Sequence, residues 1–200
     1  NYKRPNDEQS LEKYKKRNLN FLVVGRINKH KGFDRILEFC EYFDKSENIN
    51  SFDSVSLNIV GKQTDETTQI FKDLNLQNIK LVFHGFLNDE ELNPLYIKSH
   101  FCLFLSRNEG YGLPLVESMW FKSIPIISNI PIFNELMTDK YPKFDDKSNY
   151  TSSIVSFVTR IFNDEEYLKD QKEFIETIVL KEQSAYELSA KNLLKFIKEL

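Results

Sequence analysis

The chain has 200 residues, 40% hydrophobic and 14% aromatic, enough to bury one sizeable core and consistent with a single domain. Its 27 basic residues nearly balance 30 acidic ones, for a net charge of -3. That leaves no broad positive field for nucleic acid or an anionic membrane, so any anion site must be local. The two cysteines, Cys40 and Cys102, sit in apolar segments far apart, which reads as buried reduced thiols in a cytoplasmic setting rather than a disulfide framework.

The polar opening NYKRPNDEQSLEKYKKRNLN has no hydrophobic centre of the signal-peptide kind, and no apolar run approaches the length of a membrane span. Residues 1–20 read as a linker or amino-terminal extension. Because the chain begins at Asn1 rather than Met, it reads as a piece of something longer. From Phe21 short apolar runs alternate with longer amphipathic ones. Strands are expected at 21–25, 55–61, 80–85, 101–106 and 124–128, with a weaker one at 142–145. Helical spacing follows the first strand through Phe33, Ile36, Leu37 and Cys40, and a second helix is expected over 66–76. Asn88 and Glu91 form a capping-box pattern, after which Pro94 should break or kink the helix within about one turn. Further helices are expected at 149–162, 165–178 and 183–199. Leu188, Leu193, Leu194 and Ile197 share one side of the last and should cover the sheet. The mixed charges of NDEEYLKDQKEF look like a solvated face.

Strand-helix units with apolar strands argue for an α/β, Rossmann-like, doubly wound parallel sheet of about six strands, covered on both faces. In the strand order 3-2-1-4-5-6, ligands bind in the crevice beyond the carboxyl ends of strands one and four. The loops there are GRINKHKG (25–32) and RNEGYGLPLVE (107–117). Gly110 and Gly112 allow a close backbone approach, Pro114 suits the first turn of a helix, and free amides at that helix start favour a phosphate. Glu109 then sits on the loop and Glu117 in the first helical turn. By residue type alone, Glu117 is equally explained as a partner of the helix dipole, and the first loop as a solvated basic turn.

GRINKHKGFDRIL, LNIVG, VFHGFLNDEELNPLY, NEGYGLPLVESM and PIISNIPIFNEL occur in the order seen in the carboxy-terminal, donor-binding domain of retaining GT-B fold glycosyltransferases. The whole resembles glycosyltransferase family four over about 21–135, more loosely through the terminal helices. The resemblance implies a nucleotide-sugar domain over 21–200, with acceptor recognition on an amino-terminal domain absent from this chain. By the same likeness Arg26 and Lys31 hold the donor diphosphate, and Glu109 faces hydroxyls of the transferred sugar; these three are the candidate catalytic residues. Gly110, Tyr111, Gly112 and Leu113 lie near sugar and phosphate, and Glu117 accepts from the ribose hydroxyls. Gly25, Gly61, Phe86 and Leu87 complete the donor contacts, the last three near the base. Ser118 and Phe121 depart from the small residues common in the family.

The resemblance further implies a UDP- or GDP-sugar donor, a glycan or lipid-linked acceptor, no nucleic acid, and peripheral association of the full-length protein with the cytoplasmic face of the membrane. No Asp-x-Asp motif occurs and the three histidines are dispersed, so transfer without a metal ion or other cofactor is expected, Arg26 and Lys31 supplying positive charge.

Overall fold

A computed structural model describes residues 4–62, 64, 69–71, 73–145 and 149–199, with side chains as far as 189. Strands β1 (Asn18–Val24), β2 (Ser54–Val60), β3 (Ile79–Gly85), β4 (Phe101–Phe104), β5 (Ile124–Ser128) and β6 (Lys143–Phe144) form one parallel sheet in the order β3-β2-β1-β4-β5-β6. This is the expected order, and it puts the reversal between β1 and β4. Helices are α1 (Asp7–Lys15), α2 (Phe33–Lys45), α3 (Asp89–Lys98), α4 (Leu113–Trp120), α5 (Pro131–Met137), α6 (Tyr150–Asn163) and α7 (Glu165–Glu199), and they pack on both faces of the sheet. Of the helix expected over 66–76, residues 69–71 and 73 are helical, while 66–68 and 72 lie outside the described residues.

The side-chain alternation of β1 sets the two faces. Leu19, Phe21 and Val23 point into the core, where the Phe21 ring lies 5.3 Å from Phe39 and 6.0 Å from Phe43 of α2. The opposite face, expected to be apolar, carries polar side chains toward the amino ends of β1 and β2 and again at His84, while Leu22 and Val60 on the same face are buried. Ser54 donates to Asn18 at 2.8 Å, Ser56 to Asn20 at 2.7 Å, and His84 Nε2 pairs with Asn58 Oδ1 at 2.9 Å. The register aligns Asn18 with Ser54 and Asn20 with Ser56. These groups therefore satisfy one another across the strands. Both cysteines are buried free thiols, and burial pushes each up to about 12.

The lead that reads as a linker contains α1, opened by an Asn6–Gln9 capping box. Tyr14 is buried and its hydroxyl donates to His100 O at 2.7 Å, so α1 lies against the body of the sheet. Pro94 does not break α3, which runs to Lys98. A proline there removes one backbone hydrogen bond, and the Asn88–Glu91 capping box and the fully buried Tyr96 hold the helix on either side of it. The two terminal helices expected at 165–178 and 183–199 are one continuous helix, α7. Leu188 is 61% exposed and does not cover the sheet; the side chains of Leu193, Leu194 and Ile197 lie outside the described residues. Nor is the start of α7 wholly solvated. Leu168 is buried, and Lys172 turns inward to donate to Ser10 Oγ and Lys122 O, each at 2.5 Å.

Candidate functional site

The loops after β1 and β4 meet directly. Gly32 ends the 3-10 turn Lys29–Lys31 in a left-handed conformation, φ 70°, and a Cβ there would stand 1.8 Å from Leu105 O. Only glycine permits that approach. Asn28 caps the turn by accepting from the Lys31 amide at 3.0 Å, which turns Lys31 toward the second loop. Its Nζ lies 2.5 Å from Glu109 Oε2, and Ser106 Oγ donates to Glu109 Oε1 at 2.7 Å. Ser106 is held in turn from β5, through its carbonyl and the Ser128 hydroxyl. Arg26, Asn28, His30, Lys31, Asn108, Glu109 and Gly110 line an open cleft of about 420 Å³ at this junction. Arg26 is exposed, and the Glu109 side chain is only 10% exposed. A larger trough of about 750 Å³ lies beside the polar part of that sheet face, lined by Asn18, Asn20, Ser56, Asn58 and Lys80 among others. It sits away from the carboxyl ends of the strands, where amides and cations converge.

Gly112, φ 82°, precedes α4, whose second residue is Pro114. Counting from Leu113 puts Glu117 in the second turn rather than the first, and the first turn holds no acid. Pairing with the helix dipole is therefore a poor account of Glu117, since that effect fades within the first turn. Its partner is Tyr96 of α3, whose hydroxyl donates to Glu117 Oε2 at 2.9 Å. Burial is the main influence pushing the Tyr96 phenol well up, with Cys102 and Glu117 adding to it, so Tyr96 stays a neutral donor. Phe121 stacks on the Tyr96 ring, centroids 5.8 Å apart at 13°, and Ser118 is buried with its hydroxyl on Leu115 O at 2.7 Å. The two departures from the family pattern thus pack behind the helix without disturbing the loop. Glu117 is exposed and does not line the Arg26–Lys31–Glu109 cleft.

The remaining predicted residues lie along the same sheet edge or beside it. The Gly25 amide donates to Val60 O at 2.9 Å and the Gly61 amide to Gly85 O at 2.7 Å. Phe86, 88% exposed, follows β3, with Leu87 partly buried beside it. Leu113 is also exposed, and Tyr111 donates to Glu182 of α7 at 2.6 Å. Ser106 and Tyr96 were not singled out from sequence. Their signal in the sequence is their place, Ser106 closing the fourth predicted strand and Tyr96 ending NDEELNPLY.

Fold and site together define a Rossmann-like, doubly wound α/β domain, with a basic loop and a Gly-rich acidic loop at the switch point. The family model described as glycosyl transferases group 1 matches residues 3–178, and the chain belongs to that family. It is 32% identical over 158 residues to the O-antigen chain mannosyltransferase RfbU of Salmonella typhimurium, covering 76% of this chain and 42% of RfbU. It is 35% identical over 120 residues to the serotype-specific mannosyltransferase WbdA of Escherichia coli, covering 58% of this chain and 14% of WbdA. The chain therefore spans less than half of each of these relatives. Among solved structures, the C-terminal domain of the glycosyl transferase group 1 family protein LpcC of Francisella tularensis matches with a TM-score of 0.62 and 20% identity, covering 92% of this chain and 95% of that one. At that identity the likeness is one of fold. Among the described residues, no helix is long and apolar enough to cross a membrane.

Proposed function

We propose that this chain is the donor-binding half of a retaining, metal-independent glycosyltransferase, moving a hexose, with mannose the first choice, from a nucleotide-diphosphate sugar to a glycan or lipid-linked acceptor. The observation that carries this reading is the convergence of Arg26, Lys31, Glu109 and Gly110 on one cleft at the β1/β4 switch point. The mannosyltransferase relatives support the choice of sugar. The match to a C-terminal domain, and the share of each relative spanned, support the half-enzyme assignment.

In the proposed chemistry the Arg26 fork and the Lys31 ammonium take the diphosphate. As the bond to the sugar breaks, negative charge grows on the leaving phosphate. A cation about 4 Å away at an effective dielectric of about 20 contributes roughly 4 kcal/mol of attraction before desolvation. The amides of residues 110–112 add to this without reorganising. Glu109 accepts from sugar hydroxyls, and Glu117, steadied by Tyr96, accepts from the ribose. Acceptor binding is assigned to the remaining part of the full-length enzyme, which associates peripherally with the cytoplasmic membrane face.

Calorimetric titration of this chain with GDP-mannose, UDP-glucose, UDP-GlcNAc and inorganic phosphate, with and without EDTA, tests the reading. Micromolar binding of a nucleotide sugar, insensitive to EDTA and lost in Arg26→Ala and Glu117→Ala, is expected. Binding of phosphate alone would point to phosphorolysis, and binding of nothing would overturn the donor assignment.

A further inference from the structure

Lys31 and Glu109 meet only if the two strand-end loops keep a fixed separation and register, and one side chain spans both loops. The Arg107 guanidinium grips Asp34 as a two-pronged fork, Nη1 to Oδ1 at 2.6 Å and Nη2 to Oδ2 at 2.8 Å, while Nη1 also donates to Lys29 O at 2.9 Å. Its own backbone amide donates to His30 O at 2.8 Å. Arg107 stands one residue after Ser106 and two before Glu109, and its partners bracket Lys31 at positions 29, 30 and 34. Arg35 adds a parallel tie from α2 to Leu105 O at 3.1 Å. The hydrogen bond from Arg107 is the leading influence holding the Asp34 carboxyl below its usual range.

We propose that Arg107 and Asp34 are positioning residues for the donor diphosphate, clamping the two loops so that Lys31 and the amides after Glu109 address the same pyrophosphate. This rests on the donor reading above. Both side chains are partly exposed, Arg107 at 31% and Asp34 at 43%, so the pair adds little to folding. Its geometry matters more, because a misplacement of about 1 Å in a site of this kind can cost on the order of 100-fold. The fork itself is what counts, since lysine offers a point charge and not two parallel donors.

The test is calorimetry of the 200-residue chain and its Arg107→Lys and Asp34→Asn variants against GDP, UDP, GMP and UMP, with thermal midpoints measured in parallel. With the clamp as a positioning device, both variants keep their midpoints to within about 3 °C and keep the affinity of the parent for the monophosphate. Each weakens the matching diphosphate about tenfold. A diphosphate affinity unchanged in both variants overturns the proposal. Equal losses for mono- and diphosphate, accompanied by a lower midpoint, overturn it as well, since that is the signature of a purely structural pair. Should the unmodified chain bind none of the four nucleotides, the donor reading itself fails and the clamp with it.

Discussion

The Lys31 ammonium and the Glu109 carboxylate, brought from the ends of two different strands, stand 2.5 Å apart. In the proposed reaction the first belongs to the diphosphate and the second to the sugar hydroxyls, so donor entry must exchange this ion pair for two new contacts. A pair with Lys31 about one-third exposed is worth roughly 0.2–1 kcal/mol. Glu109→Gln should therefore raise affinity for the bare nucleoside diphosphate by about 1.4–5-fold while weakening preference for the nucleotide sugar over that diphosphate. Competition titrations with both ligands check this; weaker diphosphate binding in the variant would contradict the exchange.

Tyr96 offers a cleaner probe of the second acid, because it is fully buried and its hydroxyl donates to Glu117. Tyr96→Phe keeps the ring and its stack on Phe121, removing one oxygen. A stability loss of about 1 kcal/mol is expected. If Glu117 holds the ribose, nucleoside monophosphate affinity should fall about 3–10-fold, with the Arg26–Lys31 end untouched. Urea melts and monophosphate titrations give the two quantities; an unchanged affinity would remove Glu117 from the ribose.

Much of this was legible in sequence because strand and loop chemistry are local. The apolar run from Phe21, the capping box at Asn88 and the Gly-rich turn at 110–112 report their own backbone. The strand-helix pattern gives a doubly wound sheet, and the usual Rossmann order for such a sheet brings Lys31 to Glu109. What could not be read were contacts between distant elements. The polar part of the sheet face over β1 and β2 depends on Asn18 finding Ser54 and Asn20 finding Ser56 across a register. Glu117 lies one turn later than its spacing predicts, because the helix start depends on the backbone of Gly112, φ 82°. Pro94 predicts a break that does not occur, because the tertiary anchor at Tyr96 outweighs one missing hydrogen bond. In α7 the apolar residues at 188–197 predicted a sheet-covering face, yet Leu188 points to solvent.

The closeness of the two loops predicts a sharp response at Gly32. Alanine there must adopt φ 70° and place a methyl 1.8 Å from Leu105 O, so the loops must separate. Left-handed strain alone costs about 1–3 kcal/mol. Gly32→Ala should therefore lower stability by at least about 2 kcal/mol and abolish measurable diphosphate binding. Gly110→Ala, with nothing within 4 Å of the new Cβ, should leave stability within about 0.5 kcal/mol. Denaturant midpoints of the two variants, measured side by side, make the comparison.

The contact between α1 and the sheet carries its own pH dependence through His100. The Asn20 amide donates to Nδ1 at 3.1 Å and Nε2 faces Lys13 O at 2.9 Å, an arrangement that suits the neutral ring with its proton on Nε2. Burial first, then the nearby Lys13 charge, depresses His100 to about 3, against a slight rise from the Lys13 carbonyl. Lys172 also faces it, and burial holds that ammonium well below its usual range too. The unfolded chain protonates this histidine near 6.5, so between about 3 and 6.5 the unfolded state binds the extra proton. The His100 contribution to stability must then be complete above about 6.5 and fall as pH drops, with a slope approaching about 1.4 kcal/mol per unit. Lys13, lowered by burial to about 7, acts in the same direction in the window from about 7 to 10.5, and Lys172, depressed too, adds in that direction, so the His100 share is the difference between parent and variant. Urea unfolding from pH 7 to 4.5 should show the parent losing stability more steeply than His100→Gln. Parallel slopes would mean that His100 takes up its proton in the folded chain.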